Sequence, residues 1–123
     1  MVKILDQNQI DYIKWDMNRH ISDIYEADLT PDEQGEAYHR YILGLYDLLE
    51  KLTTRYPNIL FEGCSGGGGR FDAGMAYYTP QIWASDNSDA IARLKIQYGT
   101  SLVYPQSLMT HMFPCVQMNK MVE

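Results

Sequence analysis

Between residues 10 and 62 a short strand-like run, an amphipathic helix and a second strand-like run follow one another, and this order constrains the fold more than any other feature. The first run, 10–17, contains Ile10-Asp11-Tyr12-Ile13-Lys14-Trp15-Asp16-Met17. The helix is expected to open at Thr30-Pro31-Asp32-Glu33. Thr30 can cap, Pro31 suits the first helical position, and Glu33 completes a capping box. Apolar side chains then recur at Tyr38, Tyr41, Ile42, Leu45, Leu48, Leu49 and Leu52, the spacing of a helix lying on a sheet. Pro57 ends it, and Ile59-Leu60-Phe61-Glu62 reads at once as a strand. Two strands joined through a helix pair in parallel.

The rest of the chain continues the alternation. Residues 1–9 read as the end of a helix leading into the first strand, and 19–29 as an acidic loop or irregular helix. Residues 70–79 read as a loop with a short helical turn, and 81–85 as a third strand. A second helix is expected from Ser88-Asp89 to Gly99, and a further strand from Ser101-Leu102-Val103-Tyr104. The fold class is α/β. In parallel α/β folds, open or closed into a barrel, sites form beyond the C-terminal ends of the strands. The polar clusters of this chain fall there.

The first cluster is carried by alternation along a strand. Lys14, Asp16 and Asn18 share one face, and Ile13, Trp15 and Met17 the other. A cation, a carboxylate and an amide on one face make a poor core and a good site. Asp16 alone could equally cap the next segment, and Lys14 alone could be a solvated lysine. Together, the cation is expected to keep the carboxylate ionised, as a nucleophile requires. The second cluster is Trp83-Ala84-Ser85-Asp86-Asn87-Ser88-Asp89. Asp86, Ser88 and Asp89 compete for one helix cap, which leaves a carboxylate free. Sequence hardly separates Asp86 from Asp89; Asp86 lies nearer the strand end and is preferred. Two carboxylates delivered from two strand ends suit cleavage of a glycosidic bond.

Between them lies Gly66-Gly67-Gly68-Gly69. No register gives G-x-G-x-x-G, and no Gly-Lys-Ser/Thr follows, so neither nucleotide fingerprint is met. Close approach of backbone to a ligand, with amide hydrogens offered to hydroxyls, is the favoured reading; a simple flexible turn stays open. His20, His39 and His111 are scattered, and neither they nor Cys64 and Cys115 have zinc-ligand spacing, so no metal or other cofactor is expected. Trp15, Trp83, Tyr77, Tyr78 and Tyr98 could stack on a sugar, although core packing is the commoner use of such residues.

The net charge of −6 argues against nucleic acid and anionic membrane as partners, because phosphate binding needs clustered Lys and Arg. A neutral small molecule fits. No run reaches the ~20 apolar residues of a membrane span. The start, Met1-Val2-Lys3-Ile4-Leu5-Asp6, meets charge too soon for a secretory signal. Two cysteines read as free thiols, so a cytoplasmic setting is expected.

These motifs resemble the α-galactosidases of glycoside hydrolase family 36, clan D. Tyr12-Ile13-Lys14-Trp15-Asp16-Met17-Asn18-Arg19 is similar to that family's nucleophile strand. Cys64-Ser65-Gly66-Gly67-Gly68-Gly69-Arg70-Phe71-Asp72 and Trp83-Ala84-Ser85-Asp86 are similar to its next two site segments, and Arg93-Leu94-Lys95-Ile96-Gln97-Tyr98-Gly99-Thr100-Ser101 to the helix and turn that follow. The resemblance covers nearly all of 3–111. It implies a partial (β/α)8 TIM barrel over residues 1–111, about strands four to seven. A complete barrel takes about 250 residues. It further implies Asp16 as nucleophile, Asp86 as general acid/base, and Lys14, Trp15, Met17, Asn18, Cys64 and Gly66 as residues that hold the galactose. The substrates implied are α-galactosides such as raffinose or melibiose, and full-length relatives are implied to be homo-oligomers. Two other readings are a small α/β carbohydrate-binding module without chemistry and a non-functional gene remnant.

The resemblance stops sharply at the tail, 112–123. Where the family continues with a sequence like His-Val-Ser, this chain reads Met112-Phe113-Pro114. Shifting the frame of His111-Met112-Phe113-Pro114 by two bases allows His-Val-Ser, and a frameshift is therefore expected here. Resequencing the locus tests it: an intact frame with no homologous frame downstream removes the idea.

Overall fold

The computed structural model describes residues 1–19 and 21–110. His20 and the 111–123 segment, on which the expected frameshift, His111 and Cys115 fall, lie outside the described residues. The order of elements is α1 (Val2–Gln7), β1 (Tyr12–Asp16), a 3-10 segment (Pro31–Glu36), α2 (Ala37–Arg55), β2 (Leu60–Cys64), α3 (Ala73–Tyr78), β3 (Gln81–Ile82), α4 (Ala90–Ser101) and a 3-10 turn (Gln106–Leu108). The three strands form one parallel sheet in the order β1-β2-β3. Among the described residues, no helix is long and apolar enough to cross a membrane.

Parallel pairing fixes the register. Tyr12 lies opposite Leu60, Lys14 opposite Glu62 and Asp16 opposite Cys64, while Glu62 and Gly63 lie opposite Gln81 and Ile82. All three strands therefore end on the same edge of the sheet.

The expected α-helix from residue 31 begins instead as six residues of 3-10 helix. Glu33 does act back on Thr30, its carboxylate accepting from the backbone N–H at 3.1 Å and from the hydroxyl at 2.8 Å. Gln34 is drawn outward, donating to the carbonyls of Glu26 and Leu29 and accepting from the N–H of Glu26. This ties the irregular 21–29 segment to the helix start. α2 then runs 19 residues and buries Ala37, Leu45, Leu49 and Leu52.

Two apolar clusters form beneath the sheet. Leu45 and Leu49 of α2 meet Met75 of α3 and Ile82 of β3. Leu52 meets Phe61 of β2 and Leu5 of α1. Trp15 packs against both clusters and so spans β1 to the two halves of the core.

Two expectations at the chain's C-terminal side change. No strand forms at 101–104: α4 reaches Ser101, and Leu102 and Val103 are exposed in the turn that follows. The next sheet contact is a single parallel bridge of Met109 to Ile82, with the Thr110 N–H donating to the Ile82 carbonyl at 3.0 Å. β3 is also shorter than 81–85: the Trp83 N–H still donates to the Gly63 carbonyl at 2.8 Å, and 84–86 then pack on the glycine loop.

Leu49 is wholly buried and Leu43, on the same helix, is about half exposed. Leu49→Ala is expected to lower unfolding free energy by about 2–5 kcal/mol, the range for emptying a buried leucine site. Leu43→Ala is expected to cost about 0.5 kcal/mol or less. Urea unfolding midpoints of the two variants check the contrast.

Candidate active site

The C-terminal edge of the sheet gathers most of the polar residues singled out from the sequence. Lys14, Asp16 and Asn18 are exposed on one face of β1 and its extension, while Ile13, Trp15 and Met17 are partly covered on the other. The β1–β2 junction continues past the ladder. The Met17 N–H donates to the Cys64 carbonyl at 3.2 Å, and the Ser65 hydroxyl donates to the Met17 carbonyl at 2.7 Å. The Gly66 N–H then donates to Asn18 Oδ1 at 2.6 Å. Asn18 and Gly66 are thus brought together.

The glycine run joins this pair to Asp86. Gly67 adopts φ +83°, and a Cβ there would lie 2.6 Å from Ser85 Cα and 2.8 Å from the Asp86 backbone nitrogen. At Gly68 a Cβ would lie 2.6 Å from the Ala84 carbonyl oxygen. Close approach to a ligand is the expectation; Gly67 and Gly68 are instead approached by the chain's own backbone at 84–86, and the Gly66 N–H is taken by Asn18. Only a residue without a side chain lets the two segments touch.

Asp89, not Asp86, caps α4: its carboxylate accepts from the Ala92 N–H at 2.8 Å. Asp86 instead accepts from the Trp83 indole N–H at 2.9 Å. The Trp83 ring lies 4.7 Å from Lys14 Nζ and 4.8 Å from the Arg93 guanidinium, distances at which cation–π attraction operates. Arg93 is buried and also donates to the Ser85 carbonyl at 2.8 Å.

The expected partnership of Lys14 with Asp16 does not form. The ion pair of Lys14 is with Glu62, at 3.7 Å. The reason is geometric. Residues two apart on a strand are separated by about 6.6 Å, whereas a residue opposite on the next strand is about 4.8 Å away. Glu62 is the register partner of Lys14. Its carboxyl is buried, and that burial pushes its pKa up against a smaller downward pull from the Thr110 hydroxyl.

Glu62 and Arg93 are the members of this cluster that sequence reasoning did not single out, and Trp83, offered there as a sugar-stacking ring, instead hydrogen-bonds Asp86. The available signal was a carboxylate within a strand otherwise built of Ile59, Leu60 and Phe61. Trp15 and Met17 are not brought to the polar face. Trp15 packs into the core, and Met17 Sδ accepts from the Tyr41 hydroxyl at 3.2 Å. Among the described residues no group of acidic, His or Cys side chains could hold a metal ion.

The arrangement is a parallel α/β sheet presenting carboxylates, a cation and a thiol along one edge. A sequence profile of the Melibiase family matches residues 1–122, and the chain belongs to that family. It is 83% identical over 110 residues to α-galactosidase Mel36A of Lactobacillus acidophilus, covering 89% of this chain and 15% of that protein. It is 77% identical over 108 residues to α-galactosidase 1 of Pediococcus pentosaceus, covering 88% of this chain and 15% of that one. Crystal structures of the α-galactosidase AgaA of Geobacillus stearothermophilus superpose with a TM-score of 0.83 at 61% identity, over 87% of this chain and 15% of AgaA. Variants of AgaA have been crystallised with raffinose and with stachyose. The chain therefore spans about 15% of the length of these relatives, and its small parallel sheet matches part of such an enzyme.

Cys64 is buried and free. Burial raises its thiol pKa most; the Gly67 backbone N–H pulls it down, the Asp16 carboxylate raises it as hydrogen-bond partner and like charge, and Lys14 lowers it least. A raised pKa leaves less thiolate at a given pH, and thiolate is the reactive form. In a Cys115→Ser background, alkylation of Cys64 by iodoacetamide is expected to stay slow until pH exceeds the ordinary thiol range. Asp16→Asn is expected to accelerate it by moving that onset to lower pH. Mass spectrometry of the labelled chain over a pH series checks both.

Proposed function

We propose that this chain is part of the catalytic barrel of a retaining α-galactosidase, supplying about strands four to seven of a (β/α)8 barrel. The observation that carries the reading is the shared edge. Asp16 is the last residue of β1 and Asp86 lies four residues past β3, joined through Asn18, the glycine loop and the 84–86 backbone. In this reading Asp16 is the nucleophile and Asp86 the general acid/base.

In a retaining glycosidase the two carboxyl groups stand about 5–5.5 Å apart. Asp16 attacks the anomeric carbon as Asp86 donates a proton to the departing oxygen. Asp86 then takes a proton from the water that releases the glycosyl group from Asp16. Lys14, Asn18, Cys64 and Gly66 lie on the same edge and offer polar groups to galactose hydroxyls. Trp15 and Met17 act from the far face, as the apolar backing that fixes β1. The substrates are small α-galactosides of the raffinose and melibiose type, and the raffinose and stachyose bound by AgaA variants support that class. The full-length enzyme is read as a homo-oligomer acting in the cytoplasm, a setting the free thiol of Cys64 suits.

The chain alone is a poor catalyst in this reading. Ile91, Leu94, Tyr98, Leu102 and Val103 are exposed. Among the described residues the sheet has three strands, with β1 and β3 at its edges, and such edges invite association.

Turnover of a nitrophenyl α-galactoside by the purified chain is expected to be at or near background, and any turnover is expected to vanish in Asp16→Asn. A mechanism-based trapping galactoside is expected to add its mass to Asp16 and to nothing in Asp16→Asn. Galactose binding by calorimetry without such labelling would instead assign the edge to binding without chemistry.

A further inference from the structure

A carboxyl group that both donates and accepts a proton has two oxygens, and the reaction is best served when one of them handles the proton throughout. In the protonated acid one oxygen carries the hydrogen and the other is the better acceptor. The Trp83 indole is a donor only, and it donates to Oδ1 of Asp86 at 2.9 Å. Oδ1 can therefore keep the same bond in the acid and in the carboxylate, provided that the proton sits on the other oxygen.

The indole is itself held in place. Lys14 Nζ lies 4.7 Å from its ring and the Arg93 guanidinium 4.8 Å from it. Arg93 is buried, and the guanidinium that touches the ring also holds the Ser85 carbonyl, one residue before Asp86. Lys14 comes from the strand that carries Asp16 and is anchored by buried Glu62. Ring, backbone and carboxylate are fixed together, by one cation from β1 and one from α4.

We propose that Trp83 is the positioning residue of Asp86: its N–H keeps Oδ1 as the acceptor and leaves Oδ2 to carry, donate and recover the proton. The inference rests on the reading of Asp86 as the proton donor, but the hydrogen bond that carries it can be measured without sugar or turnover. No covalent step beyond the proton transfer described for Asp86 is added.

The test uses the whole 15N-labelled chain. It has two tryptophans, so Trp83→Phe assigns the indole cross-peak of Trp83 by its loss. Asp86→Ala removes both oxygens. Asp86→Asn mimics the protonated acid, with one acceptor oxygen and one donor. In the wild-type chain the Trp83 indole proton is expected to exchange with solvent about tenfold more slowly than in Asp86→Ala, as one charge-assisted hydrogen bond implies. In Asp86→Asn a few-fold protection is expected to survive, because the amide oxygen turns to the indole. The inference is overturned if Asp86→Ala matches wild type, or if Asp86→Asn behaves like Asp86→Ala. Coincident, unprotected signals from both indoles in the wild-type chain overturn it as well. A chain that turns over no galactoside yet shows the protected indole refutes neither the bond nor its orientation. A failure of the indole test leaves the assignment of Asp16 and Asp86 standing.

Discussion

Parallel pairing of Tyr12–Asp16 with Leu60–Cys64 is the constraint on which the remaining organisation depends. A parallel pair needs a long crossover, and α2 supplies it. The crossover covers one face of the sheet with Leu45, Leu49 and Leu52, so that face becomes core. The opposite face keeps Lys14, Asp16 and Glu62. Side-chain alternation then divides each strand between packing and chemistry, and a slip by one residue would send Trp15 to solvent and Asp16 into the core.

The electrostatics follow from the same register. Glu62 sits opposite Lys14, and the buried carboxylate takes the lysine as its partner. Such a pair gains little net stability, because desolvation offsets much of the attraction. Its consequence is placement. The ammonium group is held near the Trp83 ring, and the indole in turn holds Asp86. A link from β1 to the end of β3 therefore runs through side chains of all three strand segments. The glycine loop makes a second link through backbone contact alone. If Asp86 is the general acid/base proposed above, two independent supports on its carboxylate suit a site in which small displacements cost much of the rate.

Much of this was legible in the sequence. Alternation in Tyr12–Asn18 separated Lys14, Asp16 and Asn18 from Trp15 and Met17, and the structure keeps that division. The period of α2 pointed to Tyr38, Tyr41, Ile42, Leu45, Leu48, Leu49 and Leu52; Leu45, Leu49 and Leu52 are buried, Tyr41 and Ile42 are partly covered, and Tyr38 and Leu48 are exposed. The competition of Asp86, Ser88 and Asp89 for one cap was also visible, though its outcome was not. Local signals failed where distant residues decide. Ser101–Tyr104 has strand-forming residues, yet α4 propagates through Ser101 and the sheet is met only at Met109. Pro31–Glu36 carries helix-start signals, yet Gln34 is committed to the carbonyls of the preceding loop.

The sequence by itself determined the strand–helix–strand order from β1 to β2, the parallel sense of that pair and the two faces of β1, because these follow from periodicity and from the length of a crossover. Only the tertiary structure decided the partners across strands. Lys14 turned to Glu62 rather than Asp16, Gly67 and Gly68 turned to 84–86, and Trp83 turned to Asp86 within reach of two cations. Those choices depend on spacings of a few ångströms between segments far apart in the chain, and no local pattern of residues encodes them.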